Sequence, residues 1–145
     1  MRAPLVRRLP TAAAAALLAA CTEGPIAPSP SPLLDIIPDR ARYAAGAVVT
    51  VTIHNLSAER IPYNLCAEVL ERHSGGGWKK LDTGPAVTCD AALAYLDPGA
   101  SLEVPYRLPG VVAGTYRIFY PGLGVPGDVT SVEDHRSTRP FAVAF

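Results

Sequence analysis

The chain is poor in the residues from which catalytic and nucleic-acid sites are built. Its 145 residues include three His, one Met and one Trp. His54, His73 and His135 are far apart in sequence. His54 sits on the polar side of an alternating run, and His73 borders a Gly-rich loop. There is no HExxH zinc motif, no Gly-x-Ser-x-Gly elbow and no phosphate-binding Gly loop. Gly75-Gly76-Gly77 is followed by no helical pattern, so it reads as a hairpin tip. Glu68 and Glu71 are the nearest paired carboxylates, yet in a strand they face opposite sides. Asp134 and His135 are adjacent, and in extended chain they too diverge. No catalytic residue, cofactor or metal ligand set is expected, and the chain reads as a non-enzyme.

A long apolar run is also missing. The longest candidate, Leu9 to Ala20, would span roughly 18 Å as a helix, against about 30 Å for a bilayer core. Basic clusters are equally absent. All 13 acidic residues follow Cys21, whereas three of the 13 basic ones, Arg2, Arg7 and Arg8, precede it. The chain from Cys21 onward thus has ten basic and 13 acidic side chains, a net charge of −3. That balance argues against a nucleic-acid partner.

What is present begins with an export signal. The three Arg supply a positive end, Leu9 to Ala20 an apolar stretch, and Ala19-Ala20 a small-residue cleavage site. Leu18-Ala19-Ala20-Cys21 resembles the lipobox of bacterial lipoproteins. The resemblance implies cleavage after Ala20, lipid on the Cys21 sulfur, and a membrane partner through that lipid. Thr22, rather than Asp, follows the Cys. By the same resemblance, this favours the outer membrane of a Gram-negative envelope. Residues 1–20 are then signal, and 21–32 a lipidated Cys with a Pro/Ser-rich linker. Residues 33–145 are one domain, of a length that a single core can serve. The linker, Thr22 to Pro32, alternates Pro with small residues and reads as an extended stalk. Cys66 and Cys89 form an even pair in an exported chain, which predicts a disulfide.

From Leu33 the pattern is β. Leu33 to Ile37 is a short run closed by Pro38, read as an edge strand. Tyr43 to Gly46 reads as a turn. Val48 to Asn55 is the clearest strand, with Val49, Val51 and Ile53 on one face. Leu65 to Arg72 fits either a helix or a strand; a hairpin across Gly75–Gly77 to Trp78–Leu81 is the simpler account. Val87 to Cys89 reads as a short strand, and Ala91 to Leu96 as a helical turn or irregular crossing. Ser101 to Leu108 alternates, with Pro105 marking an edge position or a bulge. Tyr116, Ile118 and Tyr120 share a face of a further strand, and Phe141 to Phe145 is the last. About seven to nine short strands with frequent Pro/Gly turns predict an all-β antiparallel sandwich.

The order of these pieces resembles bacterial immunoglobulin-like domains of exported lipoproteins. The resemblance rests on Tyr43-Ala-Ala-Gly46, Val49 to Asn55, Cys66, Trp78, Pro98-Gly99, Gly114-Thr-Tyr-Arg117 and Pro140-Phe-Ala-Val143. Gly114-Thr115-Tyr116 also resembles a tyrosine corner, with Ile118 where antibody domains place a Cys. Trp78 is read as a packing residue. The resemblance implies an envelope-anchored module that binds a protein or glycan partner or plays a structural part. The alternative is a proteinase inhibitor of related sandwich form, with His73–Gly77, Val111–Gly114 and Gly122–Asp128 as its candidate loops. Fold alone does not choose between them.

Overall fold

The computed structural model of the chain describes residues 33–84, 88–124 and 135–145. The signal, Cys21, the linker, Val87, Asp134 and part of the Gly122–Asp128 loop lie outside the described residues. Ten strands are found among those described: β1 (Leu34–Pro38), β2 (Arg42–Ala44), β3 (Val48–Asn55), β4 (Ile61–Tyr63), β5 (Val69–Ser74), β6 (Gly77–Lys80), β7 (Ala94–Leu96), β8 (Ser101–Arg107), β9 (Gly114–Phe119) and β10 (Phe141–Ala144).

They form a three-stranded sheet, β1-β3-β8, a five-stranded sheet, β2-β10-β9-β5-β6, and a two-stranded sheet, β4-β7. The first two carry the core. Val49, Val51 and Ile53 alternate along β3 and are fully buried. They join Leu70, Tyr116, Ile118, Phe141 and Val143 of the other sheet in one apolar cluster. Each such side chain contributes roughly 1.5–3 kcal/mol by leaving water. In immunoglobulin lettering, β3 and β8 take the places of B and E, and β5, β6, β9 and β10 those of C, C′, F and G.

The first extended segment is divided between the sheets. β1 pairs antiparallel with β3, and β2 pairs parallel with β10. The break falls where Pro38 lacks an N–H. Asp39 then secures the corner: its Oδ1 accepts from the Tyr43 hydroxyl at 2.7 Å and from the Thr50 amide at 2.8 Å. The Tyr43 hydroxyl in turn accepts from the Arg40 amide at 2.8 Å. Burial, reinforced by the bond to Asp39, pushes the Tyr43 hydroxyl up to about 12. Burial also acts to raise Asp39, but its hydrogen bonds from Tyr43 and Thr50 and the Arg40 charge outweigh it and hold the carboxyl below its ordinary value.

The clearest strand expectations are met. β5 and β6 form a hairpin over Gly75 and Gly76, whose φ of +62° and +81° suit a two-residue turn. Pro105 lies on an edge strand. The Leu108 amide donates to Ala47 and the Asn55 amide to Ala100, so the even-numbered residues of β8 face β3. Odd-numbered Pro105 therefore faces the free edge, where its missing N–H breaks no ladder bond.

Other expectations need correction. Ala94 to Leu96 is a strand, not a helical turn, because its backbone pairs with β4. Residues 42–44 are strand and only Ala45-Gly46 is turn, because β10 supplies a partner to β2. The strand expected from Leu65 begins at Val69, since the Asn64 carboxamide captures the Cys66 amide and turns the chain. Cys89 is in no strand.

The tyrosine corner is present. The Tyr116 hydroxyl donates to the Val112 carbonyl, four residues earlier, at 2.6 Å. Tyr116→Phe is expected to cost about 0.5–1.5 kcal/mol of stability by removing that bond. Urea denaturation of the two proteins checks it; coincident curves would mean the bond contributes nothing.

Candidate functional site

The two ends of the sandwich are built differently. At one end the connections are short: residues 45–47, 75–76 and 108–113. At the other lie three long ones, 56–68, 81–100 and 120–140. The directions of the strands require this grouping. β3 and β9 run toward that end, while β5, β8 and β10 start from it, as the registers Leu34↔Asn55, His54↔Ser101 and Val69↔Phe119 show. No strand carries the chain from β6 to the far end and back before β8. The 81–100 connection therefore leaves from and returns to the long-connection end.

Long connections need partners for their backbone groups. Here they find them in one another. β4 pairs with β7, and Tyr63 bridges Leu123 on its other side. The Asn64 amide donates to Gly122 at 2.9 Å, and the Gly124 amide to Pro62 at 2.8 Å. A Cβ on Gly122 would run into the Asn64 carbonyl, so this approach needs glycine. The Asn64 Nδ2 donates to Asp90 and Ala92, both at 2.9 Å. Cys66 and Cys89 are joined as a disulfide with Cα atoms 5.6 Å apart, tying the 56–68 connection to the 81–100 connection. The expected pairing is thus present, and it braces the loops rather than spanning the two main sheets.

The base of this assembly is Asn55, fully buried at the end of β3. Its Nδ2 donates to Glu59 at 2.7 Å and Leu96 at 3.0 Å. Its Oδ1 accepts from the Ser57 amide and hydroxyl. The outer surface carries Tyr95, half-exposed, with the Arg60 guanidinium 4.8 Å from its ring centroid. Arg60 also pairs with Asp97 at 2.7 Å. Leu56 and Leu93 are exposed at the same end. Aromatic and Arg side chains with nearby aliphatics are the usual anchors of a protein interface. Neither Asn55, Asn64 nor the Arg60–Tyr95 pair was singled out from sequence. The available signal was the Asn-Leu-Ser and Asn-Leu-Cys tripeptides, since an Asn side chain commonly bonds the amide two residues on.

A cleft of about 780 Å³ opens beside the disulfide, lined by Cys66, Glu68, Lys80, Leu81, Asp82 and Tyr106 among others. Burial, then the Glu68 charge, raises both the Tyr106 and Tyr120 hydroxyls above their ordinary value. The buried Tyr120 hydroxyl has no hydrogen-bond partner among the described residues. A smaller hollow of about 310 Å³ lies against Asp35, Trp78, Arg117, His135 and Arg139.

The remaining sequence candidates are dispersed. His54 lies on β3 in register with Asp35 and Ser101. His73 packs edge-on against Trp78 at 5.2 Å. Trp78 serves as packing: the Arg117 guanidinium lies 4.6 Å from its ring centroid, and Arg117 is bonded to buried Glu71 at 2.6 Å. Glu68 and Glu71 do not act as a pair. Two of the candidate inhibitor loops are closed structures. The first, His73–Gly77, is the tight turn already described. In the second, Val111–Gly114, the Val112 and Ala113 carbonyls are engaged by Tyr116 and Arg72.

No family model matches the chain. No curated protein sequence matches it either. Among solved structures, it is similar to the ASH / PapD-like domain of human CEP192 (PapD-like domain 7). That match has 15% identity and a TM-score of 0.32, over 92% of this chain and 94% of that one.

Cys66→Ser is expected to lower stability under oxidising conditions by about 3–4 kcal/mol on the chain-entropy estimate for a loop of this size. Thermal melts with and without reductant check it; equal midpoints for the unmodified protein would remove the disulfide from the argument.

Proposed function

We propose that this chain is a lipid-anchored, non-enzymatic envelope module whose long-connection end binds a protein partner. One observation carries the binding half: the fold concentrates its three long connections at one end and braces them with a disulfide and a small sheet. Bracing of that kind holds side chains in fixed positions before a partner arrives, and so reduces the ordering cost of binding. The sheet edges support the same reading. β8 presents Pro105, β6 is four residues long with Lys79 and Lys80, and the Ile36 carbonyl on β1 already accepts from the Arg139 amide. Short, charged or proline-bearing edges resist strand addition, which leaves the ends as the available surfaces. Anchoring rests on Leu18–Cys21, and Thr22 after the Cys favours the outer membrane if the envelope is Gram-negative.

Two experiments test the halves separately. Cys21→Ser should move the protein from the membrane to the soluble fraction; unchanged fractionation would end the lipid reading. A photo-crosslinking residue at position 95 should yield protein adducts in cells, whereas one at position 52, in the middle of β3, should not. Adducts at position 52 alone would place the binding surface on the sheet instead.

A further inference from the structure

We infer that the two ends of the sandwich are complementary, and that the partner of the long-connection end is the short-turn end of a second copy. This rests on the reading of the long-connection end as a binding surface and names its occupant. The fold sorts charge along its length. Arg42, Arg72, Lys79 and Arg107 are brought toward the short-turn end from four different strands. None has an acidic side chain as partner among the described residues; Arg72 and Arg107 reach only the carbonyls of Ala113 and Gly46, each at 3.4 Å. No Asp or Glu occurs in residues 45–47, 75–76 or 108–113. At the opposite end, Glu59 and Asp90 have no basic ion-pair partner among the described residues, while Glu68 and Asp82 share a cleft with Lys80 and Tyr106.

Exposed apolar side chains follow the same division. The large ones exposed among the described residues are Leu56, Leu93 and Tyr95 at the acidic end, and Val48, Val112 and Phe145 at the basic end. Opposite charge around apolar residues on both surfaces matches what a charge-steered protein interface requires. An anionic membrane would satisfy the basic end and leave the acidic end without a complement. A second copy satisfies both. Because the two surfaces differ, the contact is head-to-tail and does not close as a twofold dimer; each molecule added leaves one end of each kind free. The attraction is between exposed charges, so it weakens as salt shortens the screening length.

Sedimentation velocity of the intact chain carrying Cys21→Ser tests this. Species larger than a dimer should grow with concentration at low salt and recede at high salt. Glu59→Lys with Asp90→Lys blocks the acidic end, and Lys79→Glu with Arg107→Glu blocks the basic end. Each variant alone should associate at least about ten-fold more weakly, as like charges meet. An equimolar mixture of the two should regain association, since the intact ends remain opposite in charge and the two reversed ends are opposite in charge to each other. The milder Lys79→Gln with Arg107→Gln should show an intermediate loss and guards against misfolding of the reversed variant. A monomer at every concentration, or a mixture that stays monomeric, overturns the inference. So does binding of the basic end to phosphatidylglycerol vesicles without self-association. If the chain stays monomeric while position 95 still captures a different protein, the head-to-tail inference falls and the binding role of that end stands.

Discussion

The structure depends on satisfying one buried amide. Asn55 ends the most apolar strand of the core, with no exposed surface and four hydrogen-bonding positions to fill. Left unpaired, such a group would cost about 1–3 kcal/mol or more. All four are filled from the connections above it: Ser57 and Glu59 from one, Leu96 from another. The Asn55 backbone meanwhile bonds Gly99 and Ala100. One residue thus joins the core to the 56–68 and 81–100 connections, so neither is free to leave without unsatisfying the other. Asn64 repeats the device one layer further out, linking its own turn to Asp90 and Ala92.

This explains why the long connections form a built surface rather than loose loops. β4 and β7 have three residues each and would not persist alone. They persist because Asn55 holds the chain at Leu96, the disulfide fixes residues 66 and 89, and Gly122 and Gly124 let a third segment approach. The opposite end needs no such support. Its turns are short enough to be closed by local bonds, such as Tyr116 to Val112, and by the glycines of the β5–β6 hairpin. The long-connection end is thus tied to the core through Asn55, whereas the short-turn end closes on its own local bonds.

The sandwich was legible because its strands are periodic over many residues. β3 and β8 alternate along their whole length and β9 sets Tyr116 and Ile118 on the core face, and hydrophobic alternation is a local property that survives in one dimension. The Gly75-Gly76 turn, the Tyr116 corner and the Pro105 edge are local as well. β7 was not legible, because three residues carry no period and its pairing depends on a strand more than thirty positions earlier. The parallel partner of β2 is more distant still. The Glu71–Arg117 pair joins residues 46 apart, and no pattern in either segment announces it. Cys66 and Cys89 could be paired by counting, but counting did not reveal that the bridge serves the loops.

Charge shows the same limit most sharply. Read along the chain, the basic residues after Cys21 form no cluster, and the near balance of charge suggests a neutral exterior. Antiparallel folding alters this, because each hairpin returns the chain to the same height. Arg42, Arg72, Lys79 and Arg107 stand at unrelated positions in sequence and close to one end in the fold. Glu59 and Asp90 stand at the other end for the same topological reason. A net charge near zero can thus conceal a separation of charge between the ends. The large exposed apolar side chains among the described residues divide between the ends as well, so charge and apolar exposure follow one axis of the fold that no reading along the chain displays.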